Sequence, residues 1–465
     1  SYNILRDKGH PSITQALRDV LEAKAISKHV FQLSFNGEQS DRAILGAVGV
    51  PILSKAFHQD NPIDSSTLNP PLSSGGWKVK RLEAGKFIEY ERVKTYWAKD
   101  MPFSIGFGHF DTLRIEFFRD RIAPFEAFKK GDITWREEFT SKVWATEYEF
   151  PAVKEGRVKK REFSPELVPT MQGWAVNSRR EKFADARTRE AIGLCFDFEW
   201  TNKNIFYDSY TRSASMFETS EFKAAGSPSP EELALLEPFR EQLPEEVFGE
   251  AIIPYVTDGS GSDRRALRKA IGLFKKAGWE RKDGKMRDKN GNVLTIEFLI
   301  RSPTFERLLG NFVENLKKVG VEPSIRLVDP SQFQSRLDDY DFDIVGMAAR
   351  FGASPTAESL RFFMHSETVD INGTRNFPGI KSPVLDALLE QMKTVSSRKE
   401  LVIIMRAMDR VLRPMHLWIP NWYSANHRVA FWDMFGWKEP KSDYSFTPES
   451  TWWFDEEKAK AIGRA

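Results

Sequence analysis

Residues 293–348, VLTIEFLIRSPTFERLLGNFVENLKKVGVEPSIRLVDPSQFQSRLDDYDFDIVGMA, decide the fold class. Val293–Ile300 is an apolar-rich run of strand length, and 303–318 repeats its apolar residues at helical spacing up to Gly320. A second strand at 321–328, a helix at 330–337 and a third strand at 342–348 follow. Strands alternating with helices of this length are the signature of βαβ units, so a parallel sheet covered by helices is expected.

The pattern continues on both sides. A helix at 263–277 precedes the segment, and a turn at Lys289–Asn292 leads into it. A helix pair at 383–393 and 397–413 comes after it, ahead of Leu417-Trp418-Ile419-Pro420 and an aromatic-rich tail at 426–454. Residues 217–261 scatter Pro228, Pro230, Pro238, Pro244 and Pro254 among acids, and read as a long excursion with short helices. Further back, Asp185 caps a helix expected at 185–197, after a strand at 172–177. Trp77–Leu82 and Phe87–Arg92 flank a Gly-containing turn and predict a hairpin. Leu113–Phe118, Ala123–Lys130 and Asp132–Trp135 give strand, helix and strand. The first residues predict a helix at Ile13–Ala23, a strand at His29–Phe35 and a short helix at Ala43–Val50.

Composition removes several classes of function. The 465 residues, 41% hydrophobic, can bury more than one core. Sixty-eight basic against sixty-six acidic side chains, with no long run of either sign, name no nucleic-acid partner. No stretch approaches the ~18 apolar residues of a membrane span. The lone cysteine, Cys195, lies in the apolar helical pattern AIGLCFDF and reads as a small buried hydrophobe. Seven histidines show no HxxH or HxH spacing, and no cofactor is expected. Thr257-Asp258-Gly259-Ser260-Gly261-Ser262 lacks the Walker lysine and reads as a connecting loop. No GxSxG elbow is present. The chain opens Ser1-Tyr2-Asn3-Ile4-Leu5, without an initiator Met or a secretion signal, and material upstream is expected.

Several stretches resemble one family. Trp77–Trp97, WKVKRLEAGKFIEYERVKTYW, is similar to the hairpin of peptide- and nickel-type solute-binding proteins, with Gly76-Trp77 in place of that family's Gly-Pro-Tyr. Asn177–Ala191, NSRREKFADARTREA, resembles its crossover, and Asp341-Phe342-Asp343-Ile344 its DFD strand. FDTLRIEFFRD, MQGWAVNSRR, FDFEWTNKNIFY and RLDDYDFDI narrow the likeness to the YejA-like branch of extracytoplasmic solute-binding protein family 5, over essentially the whole chain. The resemblance implies an α/β, two-lobed periplasmic-binding-protein fold (type II, cluster C), with lobe one incomplete at its N-terminus. It places the remainder of an extra subdomain at 1–72, lobe one at 73–180, lobe two at 181–415 and a return to lobe one at 416–465. It also implies a monomeric periplasmic receptor, without catalysis, that closes on a peptide or muropeptide and delivers it to an ABC permease.

The candidate contacts follow partly from position and partly from that likeness. Trp135, Arg136 and Glu137 follow a strand, and the adjacent acids Glu137 and Glu138 point to opposite faces, which argues against an acid–base pair. Gln172 and Trp174 share a strand face; Trp174 reads as core by default and as cleft lining by resemblance. Arg350, Phe351 and Ser354 follow the DFD strand, where related binders carry an aspartate for the ligand's amine. This chain has no acid between Asp343 and Glu358, and Arg350 offers a fork for a carboxylate. Arg375, Asn376, Trp422 and Tyr423 complete the set. His416 and His427 read as structural, and Trp452-Trp453 as a core plug. The alternative readings are a carbohydrate-active hydrolase with a Trp-rich cleft and a ligand sensor without a permease.

Overall fold

The computed structural model describes residues 1–464 except Glu38, Ser66, Arg121 and Pro440. Contacts gather the chain into two compact units: residues 1, 51–166 and 424–465, and residues 2–50 with 167–423.

The second unit is built on a five-stranded sheet in the order 322–327, 295–300, 344–350, 170–176, 418–420. The first three strands are parallel, connected through helices Thr304–Lys318 and Pro330–Asp338 as the βαβ pattern requires. Strand 170–176 runs antiparallel to 344–350, and 418–420 runs antiparallel to 170–176 in turn. The sheet is buried on both faces, which is why Thr295–Ile300 reads as nearly continuous apolar sequence. Met171, Ala175, Val345 and Met347 point to one core, together with helices Ala357–Met364, Pro383–Met392 and Arg398–Leu412. Trp174, Val176, Phe298 and Ile344 point to the other, together with helices Ala186–Leu194, Arg264–Lys276 and Thr304–Lys318.

Several residues that carried the resemblance are the fasteners of this sheet. Asn177 Nδ2 donates to the carbonyls of Tyr340 and Phe342 at 2.9 Å each, tying the crossover to the DFD turn. Asp343 Oδ2 accepts from Lys182 Nζ at 2.6 Å and from the Glu297 amide at 3.0 Å. Arg189 donates to the carbonyls of Met415, Phe183 and Ala184; burial draws its pKa down to about 10. The proline-rich excursion is clamped by buried charge. Asp409 accepts from Ser215 Oγ (2.7 Å), the Ala224 amide (2.9 Å) and Arg413, while Arg410 Nε meets Glu232 at 2.7 Å. Thr257–Gly261 is the connecting loop expected, held by Asp197, which accepts from Thr257 Oγ1 and from the Gly261 amide. Cys195 is fully buried.

The first unit holds a three-stranded antiparallel sheet, Trp77–Glu83, Phe87–Arg92 and Thr112–Glu116, whose first two strands are the predicted hairpin. A second sheet places His427–Trp432 between Trp135–Glu137 and Val158–Phe163. Phe125, Phe128, Tyr148 and Trp432 fill one side of it, and Phe163, Phe431, Phe435 and Trp452 the other. Trp452 stacks on Trp437 at 4.7 Å, as a core plug does, and is buried; Trp453 is half-buried over Gly436.

Some boundaries differ from the sequence reading. The helix expected at Ile13–Ala23 ends at Ala16, and Val20–Ser27 pairs with Val30–Phe35 as a hairpin. β-Branched Val20 and Ile26 favour the extended state, and Arg6 Nη1 takes the Val20 and Leu21 carbonyls that a helix would use internally. The helix expected at 185–197 ends at Leu194, because Asp197 caps a new one, Phe198–Ile205, by accepting from the Trp200 amide. The units also change over at 166/167 and 423/424, where the sequence placed lobe boundaries at 180/181 and 415/416. Strands 170–176 and 418–420 are hydrogen-bonded into the five-stranded sheet and go with it. Residues 2–50 group with 167–423 through contacts such as Arg18–Glu367 at 2.7 Å and His10 against Phe362.

Candidate functional site

In the second unit, one end of the sheet collects most of the candidates. Arg350 is paired with Thr170 and is exposed; the Phe351 amide donates to the Pro169 carbonyl at 2.9 Å; the Asn421 amide donates to the Gln172 carbonyl at 3.0 Å. Gln172, Ala348 and Arg350 therefore present one face at one strand end, Gln172 half-buried. Ser354 is exposed, with Oγ accepting from Arg398 Nη1 at 3.1 Å. Phe351 is buried between the rings of Phe217 and Phe363, so it anchors the turn that presents Arg350 and Ser354.

Four candidates have other work. Trp174 shares the Gln172 face as expected, but it is 2% exposed, wedged edge-on between Phe298 and Phe305 with Gly346 beneath it. The core reading describes it. Trp422 is likewise packed, with its ring 4.5 Å from Phe206, and Tyr423 beside it is half-buried opposite Thr211. Asn376 is fully buried; its amide donates to the Ile380 and His365 carbonyls, and its Oδ1 accepts from the Ile380 amide. The loop carrying Arg375 and Asn376 is fixed by Arg179 and Tyr340 beside Asn177, at the opposite end of the sheet from Arg350. Along the strand that is about 20 Å, at ~3.3 Å per residue. Arg375 is exposed there, away from the Arg350 group.

In the first unit, the strand Trp135–Glu137 divides its side chains between two faces. Glu137 Oε1 and Glu166 Oε2 each lie 2.6 Å from a ring nitrogen of His427. Burial opposes charge on His427, but the hydrogen bonds and charges of the two carboxylates outweigh it and hold the imidazolium form above its ordinary range. On the other side Glu138, 2% exposed, accepts from Arg136 Nη2 (2.6 Å), the Thr140 amide (2.9 Å) and Tyr148 Oη (3.3 Å). Burial and then the charge of Glu138 push the Tyr148 hydroxyl up, so it stays a donor. Glu137 and Glu138 thus serve separate networks and do not converge as an acid–base pair. Arg136 Nε and Nη1 and Trp135 Nε1 are buried donors with no partner among the described residues.

His427, read from the sequence as a satisfied structural histidine, is satisfied by these two acids; the sequence reading missed Glu166, whose pairing across 261 residues has no local signature. It also missed a cavity of about 610 Å³ within the second unit, lined by residues from segments 186–196, 212–214, 244–257 and 413–420 and by Lys269.

The description "Bacterial extracellular solute-binding proteins, family 5 Middle" fits residues 1–370. "Peptidoglycan-binding protein YepA" of Agrobacterium fabrum is 32% identical over 462 residues, 97% of this chain and 75% of that one. YejA of Escherichia coli K12 is 36% identical over 424 residues, 91% and 70% of the two chains. "Probable peptide-binding protein YejA" of Agrobacterium fabrum is 37% identical over 395 residues, 84% and 64%. Among solved structures, the oligopeptide-binding protein AppA of Bacillus subtilis, in complex with a nonapeptide, shares the fold at TM-score 0.74 and 17% identity, covering 97% of this chain and 82% of its own. NikZ of Campylobacter jejuni, holding Ni(L-His), does so at 0.69 and 16%, covering 91% and 76%. With its mixed α/β architecture and these similarities, the chain belongs to family 5 of the bacterial extracellular solute-binding proteins.

Proposed function

We propose that this protein is a monomeric periplasmic receptor that captures a peptide-class ligand, an oligopeptide or a muropeptide, and hands it unaltered to an ABC permease. The observation that carries this reading is the similarity along 97% of the chain to a protein named for peptidoglycan binding, together with that to YejA, named for peptides. Uptake of an intact ligand asks for donors and a charged fork rather than reacting groups. In the second unit Arg350 and Gln172 on one sheet end are groups of that kind, and in the first unit, taken by itself, so are the uncommitted donors of Trp135 and Arg136. The adjacent acids Glu137 and Glu138, which a hydrolase reading would pair, are bound up in the separate His427 and Arg136 networks.

Native mass spectrometry of protein purified without denaturation tests the reading. A co-purified mass that yields amino acids, alone or with amino sugars, on hydrolysis supports it. Retained cargo free of amino acids would count against it.

A further inference from the structure

The cavity of about 610 Å³ in the second unit contains none of the twelve candidate contacts, and its size falls within the range of about 300–1,000 Å³ typical of small-molecule sites. Five cationic side chains and two carboxylates, Glu190 and Glu246, line it. Most of the cations are committed: Arg413 to Asp409, Lys269 to Glu190 at 2.9 Å, and Arg189 to three backbone carbonyls.

Arg212 is different. Its Nε and Nη1 are buried and have no hydrogen-bond partner among the described residues, although the charges of Glu199 and Asp197 favour its cationic form. Its guanidinium lies 4.8 Å from the centre of the Phe196 ring and 5.2 Å from that of Phe198, which fixes it in place. Burial pulls its pKa to about 10, so it is still a cation at neutral pH. Trp418, which also lines the cavity, has its Nε1 buried and unpartnered, as are Ser213 Oγ and Asn421 Oδ1 on residues next to the lining. These atoms belong to two segments joined by the Trp422–Arg212 pairing and by the Ser213 amide on the Asn421 carbonyl. Buried donors left without an acceptor on a cation are costly, and an anion that accepts from them removes the cost. Leu194, Phe196, Ile252, Pro254 and Ile419 supply apolar wall beside these charged groups, His416 and Thr257.

We propose that this cavity is a ligand site separate from the peptide contacts, and that it takes a carboxylate carried on an apolar body, with Arg212 and Trp418 as its donors. Calorimetry with hippurate, and with hippuramide as the uncharged isostere, tests it. Hippurate should bind and raise the melting temperature, while hippuramide binds at least about tenfold more weakly, as expected when a charge-assisted acceptor is removed. In Arg212→Met hippurate binding should vanish, while oligopeptide binding by the folded protein should match the parent.

Equal binding of the two probes, or no hippurate binding up to about 10 mM, the weak end of the affinity scale, would overturn the site. These two measurements need only the parent protein. Retention of hippurate binding by Arg212→Met would remove Arg212 from it. Joint loss of hippurate and oligopeptide binding by a folded Arg212→Met protein would refute the separation of the two sites. Oligopeptide binding that fails in the parent while hippurate binds would sink the receptor reading and leave this one standing.

Discussion

Replacing Trp174 by alanine separates the two roles that strand 170–176 offers. The indole is 2% exposed, meets Phe298 at 86° and Phe305 at 81°, and covers Gly346, which has no side chain to fill the space left behind. Burial of ~150–250 Å² at ~25 cal/mol per Å² amounts to about 4–6 kcal/mol, close to the ~3–5 kcal/mol found for large aromatic deletions. Because the floor of the vacated space is a glycine, collapse is restricted and the upper part of that range applies. Urea unfolding should therefore show a midpoint lowered by about 4–5 kcal/mol divided by an unchanged m-value. Oligopeptide affinity of the folded fraction should fall by less than about 0.7 kcal/mol, a factor of roughly three. A stability change below about 1 kcal/mol, accompanied by loss of affinity, would refute the assignment of Trp174 to the core and return it to the ligand face.

Three further outcomes are expected. Asp409→Asn should cost about 3–5 kcal/mol in urea unfolding, because it leaves Arg413 buried without its counter-charge; a loss under about 0.5 kcal/mol would contradict the clamp role. Since the folded-state pKa of His427 is raised, its contribution to stability is complete below about pH 6.5 and is lost as pH rises through the folded value. The stability difference between the parent and His427→Gln should thus shrink from about pH 6 to pH 8.5, and a growing difference would show that the two carboxylates do not hold a charged ring. Arg350→Ala should weaken oligopeptides with a free carboxyl terminus more than their amides; equal weakening would exclude a ligand carboxylate at that position.

The parallel part of the larger sheet was legible because its signals are local. Apolar runs and helical spacing fall within windows that the sequence displays, and 295–300, 322–327 and 344–350 lie within a few residues of where they read. The first fifty residues were harder. Helix and strand compete there on short apolar runs, and the hairpin at 20–35 was decided by Arg6, which caps carbonyls from fourteen and fifteen residues away. The site was partly legible. Strand alternation put Gln172 and Trp174 on one face, but the pairing that sets Gln172 beside Arg350 joins strands far apart in sequence; no periodicity separates a tryptophan that lines a surface from one that fills a core, and Trp174 and Trp422 are held by rings distant in sequence. Asn376 looked like a free amide because the groups it satisfies, His365 and Ile380, are its own loop's backbone. The Glu137–His427–Glu166 cluster and the Arg212 cavity join segments more than a hundred residues apart, and such meetings leave no trace along the chain.

The most direct test of the receptor reading is titration calorimetry of the purified protein against a panel of oligopeptides and muropeptides, followed by mass spectrometry of the ligand recovered from the cell. Saturable binding of at least one peptide-class ligand, one per chain, with the ligand returned at its original mass, is the predicted result. Binding by none of the panel, or recovery of cleaved products, would contradict it.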